Sequence, residues 1–194
     1  MRDSQRSRVY ASDDALYLWA KKNDKLVVFE TVKDMQDFVR LVHAWTINEQ
    51  AAGRPFAYAQ PKLPTIEAAP RRARSSAYTH RGLIRMAGTR RGREQHWNNV
   101  IVIHELAHLY AAVEEKHGAG FCAVYLRFVQ HFMGAASAAI LLDQFRQRGV
   151  MYRVAANGLV KPKKVLTPEQ KAELVARLQK ARAAKQLARE EVAA

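Results

Sequence analysis

Val100-Ile101-Val102-Ile103-His104-Glu105-Leu106-Ala107-His108-Leu109-Tyr110-Ala111-Ala112-Val113 is the stretch whose reading decides the fold of this chain. Outside His104, Glu105 and His108 nearly every position is apolar, and Asn98 or Asn99 stands ready to cap it. A helix apolar around most of its circumference is a central, buried one. A carboxylate and two imidazoles are costly in such a helix unless they have a task. His104 and His108 are four residues apart and project from one face, so both can offer a nitrogen to a single ion. For zinc the bonds would be about 2.0–2.1 Å. Glu105, about a third of a turn on, reaches the attacking water rather than the metal, which suits a general base. Zinc would supply the rest, acidifying the water and polarising the scissile carbonyl.

A catalytic zinc takes three protein ligands and keeps one open position. His117 follows His108 by nine residues in Glu114-Glu115-Lys116-His117-Gly118. A helix ending near Glu115 would turn at Gly118 and swing His117 back to the metal. Glu114 and Glu115 compete for the role, but they lie too near on the same helix to face His104 and His108 well. His117 is therefore the expected third ligand. Catalysis also needs a donor at the developing oxyanion. Tyr78, His80, Tyr125 and Arg127 are the candidates, and the residues alone do not choose among them. His80 and His131 read as surface residues, and His43 as the flank of an amphipathic helix.

Around this helix the chain reads as small elements. Val9-Tyr10 suggests a short strand before a polar turn at Ser12-Asp13-Asp14, and Leu26-Val27-Val28-Phe29 a buried strand. Thr31 and Asp34 form an approximate capping box. It opens a helix over Lys33–Asn48, with Met35, Phe38, Val39, Val42 and Trp45 (and Leu41) at helical spacing. Four prolines between Gly53 and Pro70 predict loop with at most short edge strands. Ser76–Thr79 and Leu83–Ala87 read as strands joined by a turn at His80-Arg81-Gly82, and Thr89–His96 as a polar loop. Helices over Phe121–Met133 and Ala135–Arg148 follow, the second closed by Gly149 in the C′ position. Asn157-Gly158 is a turn signal, and Lys161-Pro162-Lys163-Lys164 resembles a linker. Thr167, Pro168 and Gln170 then start a last helix. Residues 1–160 are thus expected as one domain, and 161–194 as a basic linker and amphipathic helix.

Hydrophobic residues are 48% of the 194, enough for a core without staples. Cys122 is the only cysteine, which excludes an internal disulfide and suits a reducing compartment. No apolar run spans a bilayer and no signal peptide opens the chain, so a cytoplasmic protein is expected. The net charge of +14 is unevenly placed. Arg71, Arg72, Arg74, Arg81, Arg85, Arg90, Arg91 and Arg93 crowd a stretch with no acid. Lys161–Arg189 carries nine basic residues, against four acids up to Ala194. Such fields suit nucleic acid or another polyanion, although an excess of charge also simply keeps proteins soluble. The last helix shows Leu174, Val175, Leu178 and Ala181 on one face, which favours docking on a protein surface.

His104–His108 with His117-Gly118-Ala119-Gly120-Phe121 resembles the HExxH…HGxxF pattern of SprT-like and related small gluzincin-type metallopeptidases. A closer likeness is to short bacterial and phage-associated metallohydrolases. These open with a stretch like Arg2–Tyr10 and carry a hairpin like Ser76-Ala77-Tyr78 to Leu83-Ile84. The resemblance covers about Arg2 to Gly149. It implies a zincin fold with His104, His108 and His117 as zinc ligands, Glu105 as base, and a polypeptide substrate. Zincins run a strand alongside bound substrate, which would be Leu83–Ala87 here, open to β-augmentation. The zinc-binding cysteine module of many SprT-like proteins is absent. The expectation is an α+β, zincin-like domain: a small mixed or antiparallel sheet, a central HExxH helix and a helical C-terminal half. Two rivals stand beside a peptidase. One is a metal-stabilised structural or nucleic-acid-associated binding protein of phage origin, without turnover. The other is a regulatory protease of the ImmA/IrrE type.

Overall fold

Gln5, Val9, Ser12, Asp13, Leu16 and Ala20 fall at helical spacing, and all are buried. They line the inner face of α1 (Arg6–Lys22) and its N-cap, where a strand and turn were expected. The polar residues that mimic a turn have partners inside the helix. Ser12 Oγ donates back to the Arg8 carbonyl at 2.8 Å, and Asp13 meets a histidine from another helix. Gln5 and Arg8 fasten α1 to the far end of the chain. Gln5 Nε2 donates to the carbonyls of His117 (3.0 Å) and Met151 (3.3 Å), and Met151 N–H donates to Gln5 Oε1. Arg8 Nη1 donates to the Gly149 carbonyl at 2.7 Å.

The computed structural model describes residues 3–56, 62–70, 77–79, 82–87, 96–112, 116–155 and 158–160. The chain divides into a unit of Met1–Pro162 and a second, Lys163–Ala194. Residues 89–95 of the predicted loop Thr89–His96, the linker at 161–164 and the helix from Thr167 lie outside the described residues, as do all the basic residues of the tail.

Thr31 opens α2 (Val32–Ala51) with a full capping box. Its hydroxyl accepts from Asp34 N–H at 3.1 Å, and Asp34 Oδ2 accepts from Thr31 N–H at 2.9 Å. Met35, Val39 and Val42 are buried along the predicted stripe, whereas Leu41 faces solvent at 64% exposure. Leu26–Phe29 is not a buried strand. It makes one isolated bridge, Val28 to Asn98, and Val27 and Val28 are exposed. Asn99 holds it instead: its Oδ1 accepts from Val27 N–H at 3.1 Å and its Nδ2 donates to the Lys25 carbonyl at 3.0 Å.

The first sheet is mixed, in the order β1 (Thr65–Ala68), β3 (Leu83–Met86), β2 (Ala77–Thr79). β1 runs parallel to β3 with Ile66 beside Ile84; β2 runs antiparallel with Tyr78 beside Ile84. Gln36 of α2 covers the outer edge of β1, accepting from Ile66 N–H at 2.9 Å and donating to the Pro64 carbonyl at 3.0 Å. Edge groups met in this way are closed to further strands. β3 is thus paired on both sides, and the expected addition of substrate to Leu83–Ala87 is overturned.

Asn98 caps α3 (Asn99–Tyr110), its side chain accepting from Ile101 N–H at 3.1 Å. Every residue of α3 but Ile101 is buried, as a central helix requires. It ends at Tyr110 rather than near Glu115 as expected, and its C-cap, Ala111, is already extended. α4 (Ala119–Phe132) packs against α3, and α5 (Ala135–Gln147) against α4 and α1. Gly149 closes α5 at φ +64°, with Gly149 N–H on the Arg146 carbonyl and Val150 N–H on that of Phe145. These are the paired bonds of a Schellman end. A hairpin of β4 (Tyr152–Ala155) and β5 (Gly158–Val160) follows, unpredicted except for its turn. The class is α+β: five helices and two small sheets among the described residues.

Asn98 is fully buried and starts the helix on which the core is built. Asn98→Ala is expected to lower unfolding stability by about 1–2 kcal/mol in urea titration, as loss of a cap does.

Candidate metal centre

His104 and His108 share the face of α3 turned toward α4, and their rings lie 5.0 Å apart. His117 arrives from the turn before α4. Lys116 takes a left-handed conformation at φ +45°, rare for a residue with a side chain. That reversal sends the next residue back over α3, and Gly118 then caps α4. The ligand atoms of His104, His108 and His117 all lie within 4.8 Å of one another, and the three residues are buried. Nε2 of His117 is 3.3 Å from Nε2 of His104. Nitrogens held at about 2.0–2.1 Å by a tetrahedral zinc stand roughly 3.3–3.4 Å apart. The spacing therefore fits a metal ion between them.

The ring nitrogens turned away from this point are also engaged. His104 Nδ1 lies 2.9 Å from Asp13 Oδ2, and His117 Nδ1 lies 2.6 Å from Asp3 Oδ2. The first contact has hydrogen-bond length but departs from in-line geometry, and Asp13 Oδ1 is buried with no hydrogen-bond partner. His108 hydrogen-bonds the Lys116 backbone. Carboxylates or carbonyls behind metal-binding histidines fix the tautomer and leave Nε2 free to ligate. Both carboxylates come from the N-terminal segment.

Burial opposes charge on all three rings, with different outcomes. At His104 it is outweighed by the Asp13 carboxylate, aided by Glu105, and the pKa is raised. Burial pushes His108 far down, reinforced by the charges of its two neighbours. It also lowers His117, although Asp3 pulls the other way. His104 is thus the ring of the three that most favours a proton, and a metal cation would compete with that proton. Phe121 meets all three rings, with centroids 5.0, 4.2 and 5.1 Å from His104, His108 and His117. It forms the apolar floor of the site.

Glu105 is 7% exposed, and its pKa is raised by burial. The other expected site residues lie elsewhere. Tyr125 is fully buried on α4, and burial together with the nearby Asp13 carboxylate raises its phenol well above the ordinary value. That neighbour puts its hydroxyl on the Nδ1 side of His104, behind the ligand set. Arg127 donates to Glu49 Oε2 (3.0 Å) and to the Arg54 and Pro55 carbonyls, and its guanidinium lies 4.0 Å from the Phe56 ring centre. It ties α4 to the end of α2. Tyr78 sits on β2, which runs alongside α3; His80 is outside the described residues. His131 stacks on Trp45 at 4.4 Å, and His43 Nδ1 is 2.8 Å from the Tyr110 hydroxyl.

Asp3, Asp13 and Tyr10 were not anticipated. The signal available was Asp13 itself, a carboxylate in step with Val9, Leu16 and Ala20, which needs a buried partner. The chain matches no family model, no curated protein and no solved structure. Among the described residues no helix is long and apolar enough to cross a membrane.

Asp13→Ala is expected to weaken metal binding about 10- to 100-fold by competition with a chromophoric chelator, and Asp3→Ala to do so less. Equal affinity in both variants and the parent would show that neither carboxylate supports the site.

Proposed function

We propose that the protein is a zinc-dependent metallohydrolase, acting on peptide bonds, with His104, His108 and His117 as metal ligands. The observation that carries this reading is the convergence of three buried imidazoles beside a carboxylate on the same helix. Three neutral nitrogen donors with one position left open suit zinc. Zinc, when bound, supplies Lewis acidity toward a water and a carbonyl. Glu105 takes the proton of the attacking water and returns it to the amine as the C–N bond breaks. Its raised pKa makes the carboxylate a stronger base toward that water. The likeness of His104–Phe121 to SprT-like peptidases supports a zincin assignment, as does a mixed sheet beside the HExxH helix. With β3 enclosed, β2 is the strand we assign to bind extended polypeptide, because among the described residues it is an edge that runs along α3. We place the enzyme in the cytoplasm, where its one cysteine, buried and in no disulfide, stays reduced.

The charge of +14 supports work near a polyanion such as nucleic acid, through Arg71–Arg93 and Lys161–Arg189. Arg85, the described arginine of the first stretch, is paired with Glu67 at 2.6 Å and adds little to that field.

Glu105→Gln should retain zinc but lose cleavage of labelled casein by at least about 10²-fold, the scale of general-base catalysis. His117→Ala should lose zinc. A zinc-loaded protein that cleaves no polypeptide would point instead to a metal-stapled binding protein. A DNA mobility shift at low salt, weakening steeply as salt rises, is expected of the full chain; no shift would remove the polyanion proposal.

A further inference from the structure

Tyr10 stands where the metal centre meets solvent. Its ring stacks on His104 (centroids 5.5 Å apart, 27° between planes) and meets His117 edge-on at 5.1 Å. Those are the two ligands whose Nε2 atoms face each other. Yet Tyr10 is 40% exposed, while the three histidines are at most 8% exposed. The ring therefore spans from the ligand set to the mouth of the site. One helical turn earlier, the Arg6 guanidinium lies 5.4 Å from the Tyr10 ring centre and pulls against the rise in phenol pKa that burial causes. Arginine can only donate to the phenol oxygen, so the O–H is left to donate elsewhere. Glu105 is the residue after His104, the imidazole on which the Tyr10 ring stacks, and its charge acts on the phenol.

Peptide hydrolysis places growing negative charge on the former carbonyl oxygen, and a preorganised donor there is among the larger catalytic contributions. Tyr125 is enclosed beside Asp13, and Arg127 is held by Glu49 and two carbonyls. Neither faces the mouth. Resting on the metallohydrolase reading above, we propose that Tyr10 is the oxyanion donor and that Arg6 is the positioning residue that orients it. As the water oxygen bonds to the carbonyl carbon, the Tyr10 O–H donates to the carbonyl oxygen and keeps its own proton. The water's proton travels through Glu105 to the amine as the C–N bond breaks. The recognised ligand is any acyl group that becomes a tetrahedral oxyanion at this site.

The test uses full-length protein loaded with cobalt, whose visible spectrum reports ligand binding, titrated with acetohydroxamate as a stand-in for the oxyanion. Tyr10→Phe keeps the ring and removes only the O–H. It is expected to hold metal as tightly as the parent, bind acetohydroxamate about tenfold more weakly, and lower kcat on casein on the order of 10²-fold at unchanged KM. Arg6→Ala should show part of the kcat loss, and Arg6→Lys, which restores a cationic donor, should recover most of it. Unchanged acetohydroxamate affinity in Tyr10→Phe would overturn the proposal. Loss of metal in that variant would also overturn it and make Tyr10 a packing residue. A parent that binds cobalt and acetohydroxamate but cleaves no polypeptide would defeat the peptidase reading alone, with the Tyr10 O–H still judged by the titration. A parent that binds no metal would overturn both.

Discussion

Imidazole nitrogens 3.3 Å apart in a dry interior repel one another through their lone pairs unless a proton or a metal ion stands between them. Away from water that repulsion is poorly screened, and the remaining lone pairs have no solvent to turn to. A proton shared by the two nitrogens relieves it, and a metal ion would do so while reaching His108 as well. Much else follows from keeping these nitrogens together. α3 must be central, α4 must begin with a reversal at Lys116, and Phe121 must pack against all three rings, edge-on to His104 and His117 and tilted over His108.

The N-terminal segment carries the outer half of the centre. Asp3 and Asp13 turn two of the imidazoles, and Gln5 holds the His117 carbonyl. The same few residues bond to Gly149 and Met151, so the ligand set is braced against the end of α5 and the start of β4. Residues more than a hundred positions apart therefore decide one coordination geometry. Metal affinity and the docking of α1 are linked, because each stabilises the arrangement the other needs.

Access is shaped by what is closed. β3 is enclosed by β1 and β2, Gln36 covers the edge of β1, and Tyr125 and Arg127 are engaged in packing. Among the described residues, Tyr10 is the partly exposed side chain against His104 and His117, with Arg6 beside it. Burial raises the proton affinity of the Glu105 carboxyl.

The amino-acid sequence alone determined the helix around His104-Glu105-Leu106-Ala107-His108, its asparagine cap, the capping box at Thr31, the β2–β3 hairpin and the glycine end of α5. These are local: a period, a cap or a positive φ is settled by residues within a turn of one another. It also singled out His117, because a histidine beside a glycine just past such a helix has few other places to go. Only the tertiary structure decided that α1 is a helix, that β1 pairs in parallel with β3, and that Asp3, Asp13 and Tyr10 belong to the centre. Ser12-Asp13-Asp14 looks like a turn until Asp13 is given His104 as a partner. Such long-range pairings leave no periodic mark, since a buried carboxylate is stabilised by a group the chain brings to it only on folding.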